Sequence, residues 1–253
     1  MPDRVKLRVV VIIQARMGST RLPGKVLLEV LDYPLLAYLL YRLRSASTPD
    51  EVVVATTINS LDIEIVEFCR EYKVPLFRGS ENDVLDRYYQ AAKAFGADVV
   101  VRISSDCPLM DPDMVDQVVG FYLDHFPDYD YVSNTLERSY PRGMDVEVFS
   151  FAALERATKE ATLSSEREHV TPYIYRHPEL FRLGSFFGAQ DDSNYRLTVD
   201  TQEDFDLTKR IIEFFCPNNP DFTLEDILNL LREHPDWLAL NAHIRQKEIE
   251  DQS

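Results

Sequence analysis

Three basic residues, Arg16, Arg21 and Lys25, fall within ten positions of a loop that also carries Gly18, Ser19, Thr20 and Gly24. Loop glycines let main-chain N–H groups approach an anion closely, and hydroxyls and guanidiniums add directed donors. Lys25 adds a point charge suited to a phosphate. The glycine spacing matches neither the P-loop nor the dinucleotide fingerprint. Two acids stand at comparable places further on. Asp106 follows the apolar run ending at Ile103, and Asp200 follows the run ending at Val199. Each has an ordinary reading, as a turn former beside proline or as a residue before a helix. Together with a triphosphate they are hard oxygen ligands for Mg²⁺, which keeps waters and bridges phosphates. A solvated charged loop is the ordinary reading of the basic segment, and the interleaved glycines and serine argue against it.

The elements that must position these groups alternate through the first half. Val9–Ile13, Glu51–Ala55, Val74–Phe77 and Asp98–Ile103 read as strands, the continuous apolar ones buried on both faces. Between them helices are expected over Pro34–Arg44, after a Ser60 cap, over Asp83–Phe95 with Gly96 as terminator, and from Asp111-Pro112 toward His125. This is the pattern of a layered α/β domain with a mainly parallel sheet, whose ligands gather outside the carboxyl ends of the strands. Past about Asp128 the regularity weakens. A strand is expected at Asp145–Phe149, a helix capped by Ser150 and one with capping-box spacing at Ser165 and Glu168. An alternating strand at Tyr195–Val199 and helices opened by Thr201/Asp204 and Thr223/Asp226 complete the pattern. The tail after about Arg245 is expected to fray.

Composition narrows the partners. The 253 residues carry a formal net charge of −16, which argues against a nucleic-acid polymer as partner and makes a concentrated basic loop point to a small polyanion. Hydrophobic content of 45% and charged content of 28% are those of a soluble globular chain. No apolar run has the roughly 20 residues that span a bilayer. Met1–Lys6 leads straight into a strand pattern without a secretory signal, so a cytoplasmic location and no membrane partner are expected. Cys69, Cys107 and Cys216 have neither disulfide nor zinc spacing, and Cys69 and Cys216 fit core positions.

The block Val11–Lys25 resembles the opening of the cytidylyltransferases that activate acidic sugars, the Kdo and acylneuraminate enzymes, and is nearest the spore-coat polysaccharide protein F branch. Ser105–Leu109, Gly143–Phe149, Glu168–Tyr173 and Val199–Asp204 match as well, so the resemblance spans nearly the whole chain. It implies a three-layer nucleotide-diphospho-sugar transferase fold, GT-A or Rossmann-like, with a mainly parallel mixed sheet in one domain over residues 1–253. A small acceptor and dimerisation lobe would lie at about 129–187, C-terminal helices at about 202–245, and the assembly would be a homodimer. The resemblance further implies a CTP site at Ala15, Arg16, Met17, Gly18, Ser19, Arg21 and Lys25, extended by Ser105 and Asp106, with Mg²⁺ on Asp106 and Asp200. The stretch Arg78 to Arg87, with Asp83, falls where related enzymes line the nucleotide pocket, although Asp83 reads equally as a helix cap. Ser105 stands where the branch commonly has glycine. Tyr140, Arg142, Asp145, Glu147, Glu168 and His169 are the candidates for lining the acceptor, a small anion. His169 and Glu168 also read as ordinary helix residues.

The expected reaction is attack of an acceptor oxygen on the α-phosphorus of CTP, with Arg16, Arg21, Lys25, Asp106 and Asp200 as the catalytic set. A phosphate or phosphonate monoester is an alternative acceptor. Glycosyl transfer from a nucleotide sugar is an alternative chemistry on the same fold, for which the Asp-x-Asp motif would be Asp111-Pro112-Asp113. A non-catalytic nucleotide-binding subunit is the third reading.

Overall fold

The computed structural model describes residues 6–246. In chain order it comprises β1 (Val9–Gln14), β2 (Glu29–Val30), β3 (Tyr33–Pro34), α1 (Leu35–Ser45), β4 (Glu51–Thr57), α2 (Ile63–Glu71), β5 (Leu76–Gly79) and α3 (Val84–Ala94). Next come β6 (Val99–Ser104), α4 (Pro112–Asp124), β7 (Tyr131–Ser133), β8 (Glu147–Ser150), α5 (Phe151–Glu160), α6 (Ser164–His169) and α7 (Pro172–Tyr175). The chain ends through β9 (Leu183–Ser185), α8 (Gln202–Phe215), α9 (Leu224–Glu233) and α10 (Pro235–Leu238).

Seven strands form one mixed sheet in the order β5-β4-β1-β6-β8-β7-β9. The pairs β1–β4, β1–β6, β4–β5 and β7–β9 are parallel, whereas β8 runs antiparallel to both β6 and β7. The two faces of β1 explain its unbroken apolar run. Val9, Val11 and Ile13 join one core with α1, α2, α4, α8 and α9, while Val10 and Ile12 join a second core with α3, α5 and α7. A strand covered by helices on both sides has no polar face to keep, so alternation disappears.

Local chemistry sets several helix starts as the sequence indicates. Asp83, Asp111 and Ser150 cap α3, α4 and α5, and Thr201/Asp204 and Thr223/Asp226 form the capping boxes of α8 and α9. Other starts differ. Asn59, rather than Ser60, accepts the Leu61 N–H at the short turn before α2. Helix α6 begins before Ser165: the Glu166 carboxylate accepts the N–H groups of Thr162 and Leu163, so Glu168 is no cap. Helix continuity to Arg176 fails at Val170, which adopts φ 74 and ψ −58. Tyr195–Val199 forms no ladder. It lies against the loop before β8 through Arg142 N–H to the Tyr195 carbonyl at 3.1 Å and Leu197 N–H to the Arg142 carbonyl at 2.7 Å. The third strand sits two residues later than its apolar run suggests, at Leu76–Gly79. Cys69 and Cys107 are buried and Cys216 is half-buried. Most of the tail after Arg245 lies outside the described residues.

Candidate active site

β1 is the switch point of the sheet, because the chain leaves it toward β4 on one side and β6 on the other. A cleft of about 660 Å³ opens beyond the carboxyl ends of β1 and β6. One wall is the basic loop, through Ala15, Arg16, Ser19, Arg21 and Lys25. The floor is Ser105 and Asp106 after β6, with Asp200 beside them, and the far wall carries Arg142, Asp145, Glu147, Glu168 and His169.

The centre is an ion cluster. Lys25 Nζ donates to Asp106 Oδ2 at 2.8 Å, to Asp200 Oδ1 at 2.8 Å and to the Val199 carbonyl at 2.7 Å. Its side chain is only 11% exposed, so the ammonium that the sequence offers to a phosphate is here held between the two acids. Burial pulls the Lys25 pKa down, yet Asp106 and Asp200 outweigh it and hold it above its usual value. Asp200 Oδ2 meets Arg21 and Arg196 at 2.9 Å each. Burial favours protonation of Asp200, but Lys25, Arg21 and Arg196 together keep its pKa below the carboxylate norm. Arg196 is itself fixed by Asp204, the capping residue of α8.

Two carboxylate oxygens, each 2.8 Å from one cationic nitrogen, form a donor set that fits a hard divalent ion. Among the described residues no three His, Cys, Asp or Glu side chains converge on one point, so the remaining positions of such an ion would belong to phosphate oxygens and water.

The loop itself turns on Gly24, in the left-handed region at φ 69, and closes through the Gly24 N–H to the Met17 carbonyl at 3.0 Å. Gly18 is exposed and meets nothing where a Cβ would stand, while Met17 is half-buried outside the cleft lining. Arg16 projects from the loop with Glu168 at 3.9 Å as its ion-pair neighbour. Ser105 donates its N–H to the Gln14 carbonyl at 3.3 Å, which keeps the Asp106 turn beside β1 although the residue is not glycine.

The segment from Arg78 to Arg87 divides. Arg87 is buried, lines the cleft and spends one N–H on the Ser80 carbonyl at 2.6 Å. Burial draws its pKa down, and its Nε has no hydrogen-bond partner. Arg78 and Asp83 lie outside the cleft lining. Arg78 holds the carbonyls of Thr57 and Asn59 at 3.0 and 3.2 Å, and Asp83 caps α3 and pairs with Arg167.

On the acceptor side, Tyr140 also points elsewhere, stacking on Phe186 with centroids 6.1 Å apart. Glu147 reaches the cleft but is spent: it accepts from Tyr131 at 2.7 Å and Thr171 at 2.6 Å and pairs with Arg102. Asp145 binds Arg138 in bidentate fashion at 2.6 and 3.0 Å. The Arg142 guanidinium forms no hydrogen bond or ion pair among the described residues, and burial together with nearby Arg138 lowers its pKa. Glu168 and His169 are aimed by the turn at Val170, where Thr171 N–H reaches the His169 carbonyl at 2.9 Å. This is the rarer hand of γ-turn, and a β-branched residue there is strained.

Arg102 and Arg138 are cleft residues that the motifs do not reveal. The one signal for Arg102 is a charge inside a buried strand, since β6 is otherwise apolar up to Ile103. Asp111 of the Asp-x-Asp segment is absent from the cleft. It caps α4 and accepts the Leu224 N–H at 2.5 Å, so its carboxylate is committed to packing two helices.

With this geometry in hand, the cytidylyltransferase family profile matches residues 10–236. The chain belongs to the cytidylyltransferase family. It is similar to the spore coat polysaccharide biosynthesis protein SpsF of Bacillus subtilis, 35% identical over 89% of this chain and 94% of that protein. An uncharacterized protein of Methanocaldococcus jannaschii is 41% identical over 95% of this chain and 97% of its own length. A solved cytidylyltransferase structure from Leptospira borgpetersenii superposes with a TM-score of 0.89 at 35% identity, covering 96% of this chain and all of that one. The fold expected from the alternating elements is thus the one that this cytidylyltransferase structure carries. No helix among the described residues is long and apolar enough to cross a membrane.

Proposed function

We propose that this cytidylyltransferase moves CMP from CTP to a hydroxyl oxygen of a small anionic acceptor, a sugar acid for surface polysaccharide, in the cytoplasm. The observation that carries the reading is the gathering of Arg16, Arg21 and Lys25 with the carboxylate pair Asp106 and Asp200 in the lining of one cleft. A triphosphate needs fixed positive charge on its oxygens, and the acids supply hard ligands for its counter-cation. The acceptor hydroxyl oxygen gives up its proton to solvent and forms a bond to the α-phosphorus as the bond to the bridging oxygen breaks, and pyrophosphate leaves with the electron pair. Arg16 and Arg21 take the phosphate oxygens and hold the α-phosphorus in line with the nucleophile. Mg²⁺ on Asp106 and Asp200 would supply further charge neutralisation on the triphosphate.

The anionic character of the acceptor is supported by Arg142, a half-buried guanidinium in the far wall that makes no hydrogen bond or ion pair among the described residues. A carboxylate matches its planar fork. A phosphate or phosphonate monoester, which the same guanidinium would also bind, is the second reading. A homodimer built through residues 129–187 is part of the proposal, supported by the exposed aromatic rings of Phe187 and, just before the segment, Phe126.

The test is a screen of CTP with sugar acids, phosphate esters and phosphonates, reading pyrophosphate. Release of pyrophosphate with one class identifies the acceptor. Absence of both release and metal-dependent pyrophosphate–CTP exchange refutes the reaction.

A further inference from the structure

The basic loop has no regular element to fix it. Its own main-chain bonds are internal, from Ser19 and Gly24 to the Met17 carbonyl at 2.9 and 3.0 Å and from Lys25 to the Leu22 carbonyl at 3.2 Å. The Ala15 N–H reaches the Ala55 carbonyl of β4 at 3.2 Å just before the loop, and one side chain ties the loop's first peptide to the same strand end. Asp62 Oδ1 accepts the Met17 N–H at 2.7 Å, while Oδ2 accepts the Thr57 hydroxyl and the Thr57 N–H. Asp62 is 2% exposed, and it makes no ion pair among the described residues. Its carboxylate is held by directed donors, with the Arg87 guanidinium near enough to act on it electrostatically, and hydrogen bonds to a carboxylate are about twice as strong as neutral ones.

The same knot extends to the segment that the family motif associates with the nucleotide. Thr57 Oγ1 accepts the Asn59 N–H at 3.0 Å, the Asn59 amide donates to Glu81 at 2.7 Å, and Arg78 clamps the carbonyls of Thr57 and Asn59. Asp62 stands where the loop is tied into this network.

We propose that Asp62 is a positioning residue for nucleotide binding: it fixes the Arg16–Met17 peptide so that Arg16, Ser19 and Arg21 face the cleft before the triphosphate arrives. The proposal rests on the reading of the loop as the CTP site. Ordering the loop in advance spares the nucleotide the entropy of organising it, so the effect falls on affinity.

Asp62→Ala, Asp62→Asn and Thr57→Val are to be compared by amide hydrogen exchange over residues 16–24 without ligand, by calorimetric CTP titration with Mg²⁺, and by thermal unfolding. Asp62→Ala is expected to speed loop exchange and weaken CTP binding about 10-fold, the worth of one charge-assisted hydrogen bond. Asp62→Asn keeps an oxygen for the Met17 N–H and is expected to restore both to within about threefold of wild type. Thr57→Val removes the hydroxyl under Asp62 and is expected to lower the melting temperature while leaving loop exchange and affinity near wild type. Unchanged loop exchange in Asp62→Ala overturns the proposal. So does a loss of affinity in Thr57→Val that equals that of Asp62→Ala at equal destabilisation. Failure of the wild type to bind CTP refutes the nucleotide reading instead, and the ligand-free exchange still decides the role of Asp62 in the loop.

Discussion

Lys25 Nζ and Asp200 Oδ1 are 2.8 Å apart, and the same ammonium reaches Asp106 at 2.8 Å, so one cation holds together the two acids that end separate segments of the chain. A divalent ion held by these acids would therefore share its ligands with Lys25. Removing the ammonium leaves two poorly solvated carboxylates facing each other, of which Asp200 keeps Arg21 and Arg196. Lys25→Met is expected to cost about 3 kcal/mol of stability, at the low end for a broken buried pair. Millimolar Mg²⁺ should raise the melting temperature of the variant more than that of the wild type. Equal shifts in the two proteins would exclude a cation site at these acids.

Replacing Asp200 with Asn should lower turnover at least about 100-fold while CTP affinity changes less than about 10-fold, because the basic loop proposed to hold the triphosphate is left in place. Pyrophosphate release and CTP titration measure the two separately. Near-normal turnover at modest Mg²⁺ would remove Asp200 from the catalytic set.

The cluster also has a defined pH signature. Asp200 lies below its ordinary value of 3.8, so its contribution is present above that pH and is lost as pH falls through the lowered value. Lys25 lies above its ordinary 10.5, so its contribution is complete below that pH and is lost as pH rises through the raised value. The stability difference between wild type and Asp200→Asn should be flat from about pH 5 to about pH 9 and shrink in acid. Chemical denaturation across that range tests it, and a difference that grows in acid would contradict the assignment.

Arg142→Ala should raise the KM of the acceptor about 10-fold or more and leave CTP affinity within about twofold, since charged hydrogen bonds to a buried anion contribute about 1.5–3 kcal/mol. Steady-state kinetics with the acceptor found in the screen measures this. A loss confined to CTP would place Arg142 on the nucleotide instead.

Glu147 should behave differently from the acceptor residue that its motif suggests. Its carboxylate neutralises Arg102 and accepts two hydroxyls, so Glu147→Ala strands a buried guanidinium. The expected result is a loss of about 3–5 kcal/mol in urea unfolding. Full stability with a raised acceptor KM would restore the acceptor assignment.

Where physics is local, the sequence carries it. The β-branched runs of β1 and β6 read as doubly covered strands and are so, and Thr201 with Asp204 opens the helix that their spacing suggests. Asp106 follows from where such a strand ends, whereas Asp200 reaches the site although the segment before it forms no ladder. What escapes is decided by partners far away in the chain. Tyr195–Val199 alternates like a strand because its apolar side chains pack into the core, yet its backbone bonds go to a loop. Arg78, Asp83 and Tyr140 have the right types for a site, but Thr57, Arg167 and Phe186 claim them. The spacing of Ser165 and Glu168 imitates a capping box whose true carboxylate is Glu166. Asp62 looks like an ordinary first-turn acid until the Met17 amide is found 45 residues away.

Gly143, at φ 100, sits where a Cβ would be 2.6 Å from the Leu197 carbonyl carbon and 2.7 Å from the Thr198 nitrogen. The chain between Arg142 and Asp145 is thus pressed directly on the strip that ends in Asp200, with no side chain between them to absorb a displacement. Arg142 and Asp200 are thus joined by backbone packed on backbone, and if an acceptor binds at the arginine and a cation at the carboxylate, any coupling between the two would have to be reciprocal.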